Sequence, residues 1–538
     1  MTNGGGRTVA MSEELKAEST GDGASRAGAM AGMLFISRIL GVVRDGLLTA
    51  LLGATPAADA LRVALKIPAT IRDLLSEGTL SAAFIPAHQD QKIRGGIAAA
   101  HRYSRSVVTL LLLLCSLLVA VFWWWAPEVI EQLVPGLENQ VQATTLLTQL
   151  LPYLLVVPFL AVLRGILLGA DRNRAAAASQ TLQNAVLVLV GLVLVSMNLP
   201  LGESASAWAR AFLAGSIAGL LLLGWASRGA EPLPLPTWRI WGPGIGRLIC
   251  DLGLLVLASG LTYLNSLIAM RFASDLGPGS ITQLENAFRF HFLPIGLIGV
   301  ALGTVAGVDA ARLVSRSWWR ALARRIGRNQ RTTLFIALPA AAGLAILSAP
   351  LIRLILQHGK FNAQDAQQTI ETLRIYCLAI PFSCLLPALL RTALAMKKRP
   401  LIFFCATIGV AVNLTMILLL DGAFGISGLA AASVTSTLCS WVVLEIGLRR
   451  HLALPKPRST AVLANLAVTS AVACWVLLVT LVIRQLIGNG WIADLVLVAA
   501  SAPVGLWIAI LVGRAVRAGE VKSLQKLVTS AFGFRRRS

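Results

Sequence analysis

Apolar runs without a single charge recur along this chain and leave few folds open to it. Residues 107–125, 332–352, 401–420, 459–483 and 495–513 contain no Asp, Glu, Lys or Arg. A helix of about 20 such residues crosses the hydrocarbon core of a bilayer while satisfying its own backbone hydrogen bonds. Counting the less clean runs as well gives about 14 spans. The 538 residues are 56% hydrophobic and only 13% charged, with mean hydropathy +0.74, far from the make-up of soluble domains. The expected fold is therefore all-α, a polytopic membrane protein.

The net charge of +22 invites a nucleic-acid reading, but its distribution argues for membrane topology instead. Basic segments (Lys92 to Arg105, Arg172 and Arg174, Arg228 to Arg247, Lys397 to Arg399, Arg449 to Arg458) alternate with segments poor in Lys and Arg, such as those holding Glu128, Glu131 and Glu138, then Glu203, then Asp421. Basic loops stay in the cytoplasm. With Arg535, Arg536 and Arg537 also inside and an even span count, both termini are expected to be cytoplasmic. Residues 1–26 lack the apolar core of a signal peptide and read as a disordered tail. The seven arginines between Asp309 and Arg331 are expected on an amphipathic surface helix, with Trp318 and Trp319 against anionic headgroups.

Against this apolar background, two stretches hold many ions. One carries Arg38, Arg44, Asp45, Asp59, Arg62, Lys66, Arg72, Asp73 and Glu77; the other centres on Glu285 and Arg289. Charge at membrane depth is costly and normally faces a protein interior or a watery path. On an ideal helix Asp59, Arg62, Lys66, Asp73 and Glu77 fall within roughly 60°, one polar stripe that Pro68 should loosen. Arg38 and Asp45 share a face, with Gly41 and Gly46 permitting local unwinding. Glu285 and Arg289 have the spacing and order of an intrahelical ion pair. Arginine offers a planar fork that matches phosphate oxygens, so the cluster points to a phosphate-bearing ligand.

Blander roles compete with that reading. Arg62 and Lys66 could snorkel to an interface or pair with Asp59, while Arg164, Arg391 and Glu445 fit span ends near the cytoplasm. His88, His101, His358 and His451 read as loop residues, and the seven cysteines lie in or beside apolar spans without metal-site spacing or a CxxC pair. No metal, cofactor or nucleophile signature is found, and no enzyme is expected. A weak internal repeat sets Leu52-Gly53-Ala54 on Leu276-Gly277-Pro278 and Gly78-Thr79 on Gly303-Thr304, with Pro68 near Pro294. Two six-span halves of like orientation would place a substrate site at their interface.

The stretch SRILGVVRDGLLTALLGATPAADALRVALKIPATIRDLLSEGTLSAAFIP, residues 37–86, resembles the opening of the MurJ/MviN family of lipid II flippases. GLIGVALGT (296–304), QHGKFNAQDA (357–366) and FGISGLAAASV (424–434) continue the likeness in the family's order. The resemblance implies two six-helix lobes around a central cavity (27–230 and 240–450), two further helices forming a lipid-binding groove (459–515) and a basic tail (516–538). It implies a bacterial inner-membrane protein whose partners are lipid II, the undecaprenyl-diphosphate-linked disaccharide-pentapeptide, and membrane lipids, with cell-wall synthesis proteins as further partners. By the same resemblance Arg38, Arg44, Arg72 and Arg289 are cavity arginines, Asp59 is a carboxylate of the first lobe, and Lys66 and Glu77 are cavity ions.

The chain departs from the family where Asp73 stands for a second arginine and where Phe288 and Phe292 stand for acidic residues. A sodium site near the eleventh helix would need a carboxylate four residues after Asn413, and Ile417 stands there. The expected mechanism is alternating access, with the arginines holding the diphosphate. Rival readings are a flippase for another undecaprenyl-diphosphate glycan, a cation exporter, which would concentrate carboxylates instead, and a non-transporting scaffold acting through the 309–331 segment.

Overall fold

The computed structural model describes residues 37–516 except 77–78, 171, 230 and 456–458. The expectations for the two terminal tails, and for Glu77, fall outside these residues. Every regular element described is helical, as the uninterrupted apolar runs require. The first group comprises α1 (37–52), α2 (Pro56–Ser76), α3 (Thr79–Trp124), the short α4 (Ala126–Leu133), α5 (Gln140–Leu150), α6 (Pro152–Gly169), α7 (Asn173–Met197) and α8 (Leu201–Ser227). A second group follows, with α9 (Ile245–Ala273), α10 (Ser280–Pro294), α11 (Val300–Ser315), α12 (Trp319–Ile355), α13 (Ala363–Cys377), α14 (Ile380–Ala395) and α15 (Arg399–Arg449). α16 (Ser459–Ile487) and α17 (Trp491–Ala515) pack on each other and on α12.

Among the described residues ten helical stretches are long and apolar enough to cross a membrane, eleven if the bent pair α13 and α14 forms one span. The sequence expectation of about 14 is larger because ion-bearing helices fail a test of apolarity. α2 carries Asp59, Arg62, Lys66, Arg72 and Asp73, and the sixteen residues of α1 include Arg38, Arg44 and Asp45. α3 bends at Gly95 and Gly96, and α15 bends at Gly425.

Several local expectations are revised. Pro68 does not interrupt α2. Gly46 serves close packing rather than unwinding, since a Cβ there would lie 2.9 Å from the Ile355 carbonyl oxygen. The 309–331 segment is no separate surface helix: it is the corner between α11 and α12, turned at Ser317 (φ 56°), with Leu322 and Ile326 buried and Arg325 paired to Asp309 at 2.5 Å. A helix that must bury an apolar face here simply continues inward as α12. His88 and His101 lie within α3; His88 is buried against the Phe84 ring and meets Glu231 at 3.0 Å.

The segment joining the two groups lies along α3. Arg105 donates to the carbonyls of Leu235 and Pro236, Ser106 to that of Arg239, and Thr109 Oγ1 accepts from the N–H of Thr237. Extended chain at a membrane surface must satisfy its backbone polar groups one by one, and here α3 side chains do so.

The two halves repeat one corner. α1 turns into α2 at Gly53 (φ 68°), and α9 turns into α10 at Gly277 and Gly279 (φ 98° and 84°), left-handed conformations that favour glycine. The corners touch: a Cβ on Gly279 would lie 2.6 Å from the Ala54 carbonyl oxygen, and one on Gly53 equally close to that of Lys360.

Candidate functional site: an ionic ladder between α10 and the first two helices

Read from its N-terminus, α10 meets one polar group of the first half after another. At the top Asp59 accepts from the Gly279 N–H (2.7 Å), the Thr282 N–H (2.8 Å) and the Thr282 hydroxyl (2.6 Å), so that it caps a helix from the other half. The first N–H groups of a helix lack intrahelical partners, and a carboxylate is a good substitute. Asp59 is 2% exposed and takes its partners from α10, not from Arg62.

One turn on, Lys66 pairs with Glu285 at 2.5 Å, and Arg62 donates to Asn286 Oδ1 at 2.7 Å. Arg62, 5% exposed, leaves Nε and Nη1 without partners. Asp59, Arg62 and Lys66 are thus the part of the sequence stripe that faces α10. Neither residue snorkels.

Further along, Arg289 pairs with Asp45, whose other oxygen takes Arg44 Nε and Nη2 at 3.0 and 2.8 Å. The expected pairing of Glu285 with Arg289 along α10 does not form; each finds its opposite charge on the first half instead. Arg44 also donates to Asn184 of α7 at 2.9 Å. At the lower end Arg38 Nη2 reaches the Gly296 carbonyl at 3.1 Å. Pro294 lacks an N–H, and a π turn follows at Ile295–Gly299, in which Val300 bonds five residues back to Ile295. Gly296 leaves room for the guanidinium, 3.2 Å from where a Cβ would stand.

Arg72 sits on the last turns of α2 with Asp73 at 2.7 Å, close enough to Arg44 for the two like charges to interact. Asp73 supplies a counter-charge for Arg72. The ladder therefore joins Arg38, Arg44, Lys66, Arg72, Arg289 and Asp59 of the expected set. Asp45, Arg62, Asp73, Glu285, Asn184 and Asn286 complete it. Of these, the four ions were visible against the apolar background, whereas nothing in the sequence marked the two asparagines.

Six cations against four carboxylates leave these residues with a net charge of +2. The ladder's ionic side chains other than Asp59 and Arg62 keep some accessibility, Arg289 with 37% of its side chain exposed. Phe288 and Phe292, one turn apart and stacked on each other, are exposed beside Arg289, and Phe288 packs on Tyr376 and His291. Asn413 and Ile417 are both buried, and no group of three or more metal-binding side chains occurs among the described residues.

An all-α, many-span membrane protein with a cationic ladder between its halves has the build of a transporter. The comparisons narrow that class. A family model described as "Lipid II flippase MurJ" matches residues 48–497, and the chain belongs to that family. A probable lipid II flippase MurJ of Rhizobium meliloti (strain 1021) is 29% identical over 423 residues, 76% of either chain. That of Thermotoga maritima is 26% identical, over 77% of this chain and 83% of its own. Among solved structures, a lipid II flippase MurJ in an inward closed conformation shares the fold with TM-score 0.74 at 22% identity, over 90% of this chain and 99% of that one. An inward-facing MATE family transporter of the MOP superfamily shares it with TM-score 0.62 at 17% identity, over 80% and 98%.

Proposed function

We propose that this chain flips lipid II, the undecaprenyl-diphosphate-linked precursor of peptidoglycan, across the bacterial inner membrane by alternating access. The observation that carries the reading is Asp45, which holds Arg44 of one half and Arg289 of the other on a single carboxylate. A diphosphate is a stronger partner for paired guanidinium forks than one carboxylate is. On entry it takes Arg44 and Arg289 from Asp45, loosens the ties between the halves, and is itself neutralised by the net positive ladder.

Two lobes, 27–230 and 240–450, then rock about the ladder. The basic loops face the cytoplasm with both termini, which sets the Gly53 and Gly277 corners on the outer side. Opening outward breaks the three hydrogen bonds of Asp59 and re-forms them on return. Arg38 and Arg72, toward the inner ends of their helices, meet the diphosphate first, and the polyprenyl tail stays in lipid beside α16 and α17. An inside-negative potential favours outward passage of an anion by about 2.3 kcal/mol per charge per 100 mV.

The test is complementation of cells depleted of their own lipid II flippase, with outward lipid II exposure measured directly. Wild type should restore it, and Arg44→Ala and Arg289→Ala should not, at equal membrane abundance. Full rescue by both variants would overturn the reading. The exposed Phe288 and Phe292, where the family carries acids, favour a second possibility, a different glycan on the same diphosphate; exchanging the head in a transport assay separates the two.

A further inference from the structure

A second polar site lies past the top of the ladder, on the other side of the Gly277 corner. A cleft of about 450 Å³ opens between that corner, the first turns of α13 and the bend of α15 at Gly425. Its polar wall includes Ser280, Gln283, Gln364, Asp365, Gln368 and Glu371, and among the described residues neither Lys nor Arg lines it. The ladder is net positive; the described lining of this cleft has two carboxylates and no cation.

Gln283 is the residue that points to a ligand. The residue is 3% exposed, and its Nε2 donates to Asp365 Oδ1 at 3.0 Å, which fixes the orientation of the amide. Its Oε1 is buried with no hydrogen-bond partner. An unsatisfied buried acceptor costs about 1–3 kcal/mol, which a donor arriving in the cleft would recover. Asp365 is itself fixed by a reciprocal capping box with Asn362 at the start of α13. Glu371 receives only a neutral donor, Gln367 Nε2 at 2.7 Å. Gln364, Gln368 and Glu371 recur at helical spacing, so one face of α13 presents amides and a carboxylate together.

We propose that this cleft is the outer docking subsite for the head of the transported molecule, and that it takes a primary ammonium group set among hydroxyls and amides. The inference rests on the flippase reading. Among the described residues the carboxylates of Asp365 and Glu371 pair with no cation, and they would gain one. The glutamines offer donors and acceptors to sugar hydroxyls and peptide amides alike, and the exposed Phe424 ring gives a flat apolar face. Position supports chemistry: the rim residue Pro278 precedes Gly279, whose N–H is held by Asp59, so a head released when that bond opens emerges at the cleft's edge. The volume suits a fragment of such a head, a sugar and one or two residues, at the small end of ligand pockets.

The test uses the full chain in lipid nanodiscs and a soluble disaccharide-peptide carrying a free side-chain amine, with its N-acetylated counterpart as control. Wild type should bind the amine form at least tenfold more tightly than the acetylated one. Glu371→Gln, at an exposed position that does not threaten folding, and Gln283→Leu should each reduce binding of the amine form at least fivefold. Equal affinity for the two probes, or unchanged affinity in both variants, overturns the proposal. Arg289→Ala should keep soluble-head binding while losing translocation of the lipid-linked form. A wild type that binds the amine-bearing head yet moves no lipid-linked glycan refutes the flippase reading and not the ligand chemistry of the cleft.

Discussion

Asp59 and Thr282 lie 223 positions apart and share two hydrogen bonds, one to the backbone N–H and one to the hydroxyl of Thr282. With the Gly279 N–H they make a cap whose acceptor and helix belong to different halves of the chain. Hydrogen bonds to a charged group contribute roughly 1.5–3 kcal/mol each, so Asp59→Ala should tilt the molecule toward its outward-open form. A cysteine pair at Ala50 and Lys360, whose backbones are joined at 3.0 Å, reports the change. Cross-linking should slow at least tenfold in the Asp59→Ala background, and an unchanged rate would show that the cap does not hold the closure.

Lys66 and Glu285 form a pair that is about four-fifths buried. Breaking a buried pair is costly because one charge stays behind, about 1–3 kcal/mol here after allowance for residual solvent. Lys66→Glu and Glu285→Lys should each lower the melting temperature of the purified protein. The double exchange should recover at least half of the loss, and a double variant no better than the worse single would exclude a direct pair.

Gly299 faces α14 so closely that a Cβ would stand 2.8 Å from the Cys384 Cα. Backbone cannot swing aside as a side-chain tip can. Gly299→Val should therefore destabilise by about 1–3 kcal/mol through overpacking, read as a lower melting temperature and a smaller yield of monodisperse protein. A wild-type melt would show that the π turn ahead of α11 moves off α14 at no cost.

Asp494 pairs with Arg484 of α16 and lies 3.8 Å from Arg353 of α12, which ties the last two helices to the body. In Asp494→Ala, hydrogen exchange should accelerate in α16 and α17 and stay unchanged in α2 and α10. Uniform acceleration would mean that the appended pair is integral to the core instead.

Much of this arrangement could be read from residue patterns because the membrane makes charge conspicuous. Asp59, Arg62 and Lys66 stood out as one stripe, and Gly53 and Gly277 as matched positions that prove to be matched turns. Pairing was harder to read. Periodicity gives the face a residue occupies but not the partner opposite, so Glu285 and Arg289 looked like partners along α10 until α1 and α2 supplied better-placed charges. His88 escaped for the same reason, since its partner Glu231 comes from a segment with no periodic signal. Asn184 and Asn286 carry no charge, and an amide among apolar residues does not announce a guanidinium beside it.

Around these corners glycines face carbonyl oxygens: Gly53 that of Lys360, Gly279 that of Ala54 and Gly359 that of Ala50, while Gly136 meets both the Ser274 carbonyl and the Asp275 side chain. At these glycines main chain lies on main chain, beside the Asp59 side chain that does enter the joint. Parting such contacts uncovers peptide groups that water solvates readily. A seam of this kind can come apart and close again many times, with any added methyl group acting as grit.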